Sequence, residues 1–109
     1  MFKRKGKRKK DSLSEIIVAL CADYDRRRRA LIESSVTRRV RMEYIYINGR
    51  MKDAAAEIVG EGYAERFIDD IGARVGYASS ELDFCSEGQY KKYKKEIKDN
   101  IAKKLYLID

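Results

Sequence analysis

Histidine, proline and tryptophan are absent from the chain, and cysteine occurs twice. Each gap excludes something. Without histidine there is no Cys/His cluster, so no structural zinc site is expected. There is also no nucleophile motif and no Gly-rich phosphate loop. "GEGYAER" has glycines, but it follows a helical pattern and lacks the strand of a nucleotide fingerprint. These absences point away from an enzyme and from any metal or cofactor. Without proline, nothing forces a helix to stop early, so the chain should be mostly helical. Cys21 and Cys85 lie far apart in sequence, and free thiols in a reducing compartment are the simplest reading, with a single disulfide as the alternative. No apolar run approaches the roughly 20 residues that span a bilayer. The run "IIVALCA" is short and leads into "DYDRRRR" with no small-residue cleavage site, which predicts a cytoplasmic protein.

What the chain does have is charge. Charged residues make up 39% of its 109 residues, hydrophobic residues 44%, and the net charge is +7. The length suits a single helical domain over 11–109 preceded by a basic arm. Residues 1–10 hold seven basic residues and no acidic one. They have almost nothing to bury, and self-repulsion should leave them disordered. Residues 61–89 hold two basic and seven acidic residues, and residues 90–109 hold seven basic and three acidic. Such asymmetry favours a polyanionic partner.

The helical pattern can be followed along the chain. Ser12 and Glu15 have the S-x-x-E spacing of a capping box. Leu13, Ile16, Ile17, Leu20, Cys21, Tyr24 and Leu31 then mark a first helix to about residue 32, with Cys21 on its apolar stripe. "DRRRR" at 25–29 reads two ways. It is either a solvated helix end with local ion pairs or a phosphate contact through residues such as Arg26 and Arg27. "VRMEYIYING" alternates like a strand and ends in a hairpin signal. Over a longer window, however, Val36, Val40, Tyr44, Ile47, Met51, Ala54 or Ala55, and Ile58 share one helix face. This predicts one long helix, either continuous or broken at Asn48-Gly49. Its stripe over 36–58 is also a candidate homodimer seam. Tyr63, Phe67, Ile68, Ile71 and Val75 mark a third helix closed by Gly76. Glu65, Asp69 and Asp70 make its outer face acidic and a candidate surface for a protein partner. A connector over 77–85 leads to Ser86 and Gln89, a second capping signal. Tyr90, Tyr93, Ile97, Ile101 and Leu105 form the stripe of a final helix. The fold class is therefore all-α, a four- to five-helix bundle.

"IGARVG", a turn region and a Ser-capped basic helix make a helix-turn-helix-like unit over about 63–106. Ala73 is placed where two helices approach, and Gly76 where the turn needs a left-handed residue. The segments "FIDDIGARVGY" and "SEGQYKKYKKEIKDNIAKKLYLI" resemble small phage and mobile-element proteins of Gram-positive bacteria. The nearest group is the ArpU/RinA-type late transcriptional regulators, with the related helix-turn-helix of sigma-factor region 4. The resemblance covers about half the chain and implies DNA binding through the last helix and control of transcription. The nine residues of 77–85 depart from a tight helix-turn-helix, whose turn has three or four.

On this reading the nucleic-acid-binding residues are Ser86, Gln89, Lys91, Lys92, Lys94, Lys95 and Lys98. Arg26 and Arg27 join them, as do Lys3, Arg4, Lys5, Lys7 and Arg8 of the arm. Gln89 is the candidate base reader, by a bidentate contact to adenine. The expected function is a non-enzymatic, DNA-binding transcriptional regulator acting on duplex DNA. The alternative is a helical protein-interaction module, such as a phage adaptor, inhibitor or packaging component. RNA binding through stacked tyrosines ranks lower, because most tyrosines fall on buried stripes.

Overall fold

A proline-free chain with these apolar spacings folds as helices joined by very short links. The computed structural model describes the backbone of residues 2–80 and 85–108, and the side chains of 12–78, 80 and 85–108. There is no strand among the described residues. The helices are α1 (Phe2–Ala22), α2 (Tyr24–Glu33), α3 (Arg38–Val59), α4 (Glu61–Ala73), α5 (Tyr77–Ser80) and α6 (Glu87–Lys104). α1 and α3 each pack against both α4 and α6. α4 and α6 therefore occupy opposite corners of a four-helix bundle, and α2 leans along α3. The expected all-α bundle is present.

The helix expected from Ser12 to about residue 32 is there as two segments. Asp23 separates them, yet the ladder runs through it. The Asp23 N–H donates to the Ala19 carbonyl (3.1 Å), and the Arg27 N–H donates to the Asp23 carbonyl (3.0 Å). Ser12 does not start this helix, because α1 already begins at Phe2. Glu15 accordingly pairs with Arg74 rather than closing a capping box. The side chains of residues 1–10, expected as a disordered basic arm, lie outside the described residues.

α3 is one continuous helix through Asn48-Gly49. The hairpin signal fails because the helical stripe around it has a core to bury. Met51, Ala54 and Ala55 are fully enclosed, and Ile47 and Ile58 pack against them. From Ile47 to Ile58 the stripe is thus occupied within the bundle. Thr37 caps the helix, its hydroxyl accepting from the Val40 N–H at 3.4 Å.

Gly60, with φ of +86°, is the whole link between α3 and α4. α4 buries Ala64, Phe67, Ile68 and Ile71. Large apolar side chains enclosed in this way contribute roughly 1.5–3 kcal/mol each. Two expectations about its C-terminal end are corrected. The small residue at the helix crossing is Gly72, not Ala73. A Cβ on Gly72 would lie 2.5 Å from the Ala22 nitrogen and 2.6 Å from the Cys21 carbonyl carbon, whereas Ala73 is exposed. The left-handed residue is Arg74 (φ 58°), not Gly76. The Arg74 N–H returns to the Asp70 and Ile71 carbonyls, and the Val75 N–H donates to the Asp70 carbonyl at 3.1 Å. This is a Schellman-type ending, in which the last free carbonyls are satisfied before the chain turns away.

Candidate nucleic-acid interface

α6 starts where the sequence places it. The Ser86 hydroxyl accepts from the Gln89 N–H (3.3 Å), and Gln89 Oε1 accepts from the Ser86 N–H (3.2 Å). This reciprocal box satisfies two amides that the first turn leaves free. Glu87 in the first turn and Lys103 and Lys104 in the last complement the helix dipole. Tyr90, Ile97 and Ile101 are buried, and Tyr93 and Leu105 pack against the core. Tyr90 meets the ring of Phe67 at 5.3 Å and donates its hydroxyl to Asp70 Oδ2 at 2.8 Å. Burial and this carboxylate both raise its pKa. The aromatic half of "YKKYKK" is therefore core.

The lysines divide into two groups. Lys94 folds back over the Tyr90 ring, with Nζ 5.1 Å from the centroid, and donates to the Val75 carbonyl at 2.7 Å. Partial burial lowers its pKa. Its ammonium ties α6 to the end of α4. Lys98 donates to the Ser14 hydroxyl at 3.1 Å and ties α6 to α1. The other three point to solvent. Lys91 makes an exposed pair with Glu87 at 3.0 Å, of a kind worth little in water. Lys92 and Lys95 are exposed and have no ion-pair partner among the described residues. Beside them, a groove of about 590 Å³ separates α6 from α1, with Leu13, Ile17, Ala102 and Ile108 along it and Lys95 and Lys98 at its edge.

The arginine run does not join this surface. Arg27 is 3% exposed and points inward, so it cannot touch a phosphate, which corrects its expected role. Its Nε donates to Asn48 Oδ1, and a terminal nitrogen donates to the Leu20 carbonyl. Arg28 and Arg29 both pair with Asp25, at 2.7 and 3.0 Å. Arg26 is held by Asp23 and by the Tyr44 hydroxyl on α3. α2 packs on α1, α3 and α4, which leaves Arg26 apart from the lysines of α6. Lys3, Arg4, Lys5, Lys7 and Arg8 have side chains outside the described residues.

In the helix-turn-helix-like unit expected over 63–106, α4 and α6 meet through the rings of Phe67, Tyr90 and Tyr93 and through the Tyr90–Asp70 hydrogen bond. The chain between Ala73 and Glu87 includes α5, and residues 81–84 within it lie outside the described residues. Each of the two helices turns its apolar stripe to the shared core.

Asp70 of α4 faces α6 through the Tyr90 hydroxyl, whereas Glu65 and Asp69 lie toward α2. Glu65 accepts from the Tyr24 hydroxyl at 2.8 Å. Partial burial, together with Asp25, Glu65 and Asp70, raises the pKa of Asp69. No group of three or more Cys, Asp or Glu side chains among the described residues could hold a metal ion. No helix among them is long and apolar enough to cross a membrane.

The sequence reading missed the polar anchor at Asn48 and the exposed cations Arg38 and Arg39 at the start of α3. Asn48 had a usable signal, since it sits between Ile47 and Met51 on an apolar stripe where only a partnered polar group survives.

No protein-family model, curated protein or solved structure matches the chain.

Proposed function

We propose that this protein is a non-enzymatic DNA-binding regulator of the phage or mobile-element kind. It would hold duplex DNA through phosphate contacts from the outer face of α6. One observation carries the reading. Lys91, Lys92 and Lys95 share a solvent-facing side of α6, and Lys98 binds that helix to the α1 that continues from the basic segment 1–10. An exposed row of cations on one helix offers a polyanion a face to bind.

The same geometry argues for positioning over base reading. Gln89 Oε1 is engaged with the Ser86 N–H, so the amide cannot give adenine a bidentate contact while the box is closed. Backbone amides at a helix start and nearby lysines suit phosphate oxygens. The resemblance to ArpU/RinA-type regulators supports the assignment to DNA. Binding to a duplex followed across a salt series tests it. A steep fall of affinity with salt is expected, and no binding at low salt would refute it.

The acidic corner favours a second reading, a helical adaptor that docks a basic protein segment on α4. The pKa of Asp69 is raised chiefly by partial burial and then by Asp25, Glu65 and Asp70, and a docked cation would offset the pull of those three carboxylates.

A further inference from the structure

α3 extends beyond the four-helix core at its N-terminal end, and the side facing away from its buried stripe is apolar at the centre. Met42 is 64% exposed, Ile45 53% and Tyr46 46%. These residues recur at i, i+3 and i+4, so they form one patch. A shallow groove of about 470 Å³ runs along Met42, Glu43, Tyr46 and Ile47. The Arg50 guanidinium stacks over Tyr46 (5.3 Å) and Tyr106 (5.7 Å), extending the patch to the end of α6.

Charged residues frame this patch in a specific order. Arg39, Tyr46 and Asp53 are spaced by seven, as are Glu43 and Arg50. A seven-residue step returns a helix to nearly the same side. The outer stripe of α3 therefore reads positive, negative, aromatic, positive, negative from Arg39 to Asp53. Two such stripes laid parallel and in register would set Arg39 against Arg39 and Asp53 against Asp53, which is repulsive. Laid antiparallel about a two-fold axis at Tyr46, they set Arg39 against Asp53 and bring Glu43 beside Arg50, each twice. Of these two arrangements only the antiparallel one makes the stripe complementary to itself, drawing Arg39 from its loose exposed pair with Glu43 (3.9 Å), and self-complementarity is what a two-fold interface requires. Gly49 lies on the same side, with no atom within 4 Å of where a Cβ would stand, so nothing there holds a second helix away.

We infer that the protein forms an antiparallel homodimer through the outer face of α3, with Met42 and Tyr46 at the centre and Arg39–Asp53 pairs at both ends. Met42 of each copy would pack beside the Arg50, Tyr46 and Tyr106 cluster of the other, a thioether against aromatic rings. This side of α3 lies away from the buried part of the 36–58 stripe, and it reaches only Tyr106 beyond α6, not the α6 lysines. The inference is thus independent of the DNA reading.

The patch is small, so the dimer should be weak, within the class of interfaces below roughly 1,200 Å². Sedimentation velocity of the intact chain without nucleic acid, from about 10 µM to about 1 mM, tests it. The expected result is a monomer–dimer equilibrium that Tyr46→Glu weakens at least about tenfold, with unchanged helical circular dichroism. Arg39→Asp and Asp53→Arg should each weaken it, and the combined swap should restore it. A monomer at every concentration overturns the inference. So does a dimer that Tyr46→Glu leaves intact, or one that the double swap does not recover.

Discussion

Arg27 Nε donates to Asn48 Oδ1 at 2.7 Å inside the bundle, joining α2 to α3. The rest of both side chains is also engaged. Arg27 donates to the Leu20 carbonyl (2.6 Å) and to the Met51 sulfur (3.3 Å), and Asn48 Nδ2 donates to the Tyr24 carbonyl (3.1 Å). These partners are neutral, and burial lowers the Arg27 pKa while Asp23 opposes the shift. A buried guanidinium is tolerable only while its donors are filled. Arg27→Ala should cost about 2–4 kcal/mol, from a cavity plus stranded acceptors. Asn48→Ala should cost at least as much, because it leaves a buried charge less satisfied. In Arg27→Ala with Asn48→Ala, the loss should be far below the sum of the single losses. Urea denaturation of the four proteins measures the coupling, and additive losses would count against the pair.

Gly72 and Gly62 make a second comparison, since both are glycines within α4. A Cβ at Gly72 meets the backbone of Cys21 and Ala22, which cannot swing aside as a side chain can. Gly72→Ala should destabilise by about 1–3 kcal/mol as α1 and α4 are forced apart. At Gly62 nothing lies within 4 Å, so Gly62→Ala should be neutral or stabilising by up to about 1 kcal/mol. Thermal melts of both variants decide this, and equal effects would show that α1 and α4 do not touch at Gly72.

The helix-level fold was legible in the sequence because apolar spacing reports which side of a helix is buried. The stripe of α6 appears residue for residue and that of α3 from Ile47 to Ile58, and the Ser86–Gln89 box is a local motif that needs no partner. What failed depends on how helices are arranged. Spacing reports which side of a helix is buried, but not which backbone lies against it. Ala73 and Gly76 were chosen over Gly72 and Arg74 for the same reason, since only a tertiary contact shows which small residue lies against a backbone. Within the candidate site, the lysines of α6 look alike in sequence. Tethering to Val75 and to Ser14 separates Lys94 and Lys98 from Lys92 and Lys95.

Cys21 and Cys85 are free and buried. Burial pushes the Cys21 thiol up to about 12, against the pull of Arg27 and Lys98, and it also raises Cys85. A thiol reagent at pH 8 attacks the thiolate, which neither residue should supply in the folded protein. Both should react fully in denaturant and only slowly without it. Rapid native labelling of Cys21 would contradict its place in the core.

Asp69 gives a pH-dependent prediction with a definite sign. Its pKa is raised in the folded state, chiefly by partial burial and then by Asp25, Glu65 and Asp70. A carboxyl that binds its proton more tightly when folded disfavours folding once ionised, and the penalty disappears as pH falls below the unfolded value of about 3.9. Asp69→Asn should raise the melting temperature at pH 7, and this gain should vanish near pH 3. A gain that is the same at both pH values would place its origin elsewhere.

The central claim is that α6 presents a lysine face to duplex DNA, and the salt dependence of binding tests it most directly. The intact chain is titrated with one duplex at several salt concentrations, beside a Lys92→Gln/Lys95→Gln variant. The account predicts a linear fall of log K with log salt, and a slope shallower by about 2 in the variant, close to one phosphate contact per lysine. The same slope in both proteins, or no binding by the wild type at low salt, would contradict it.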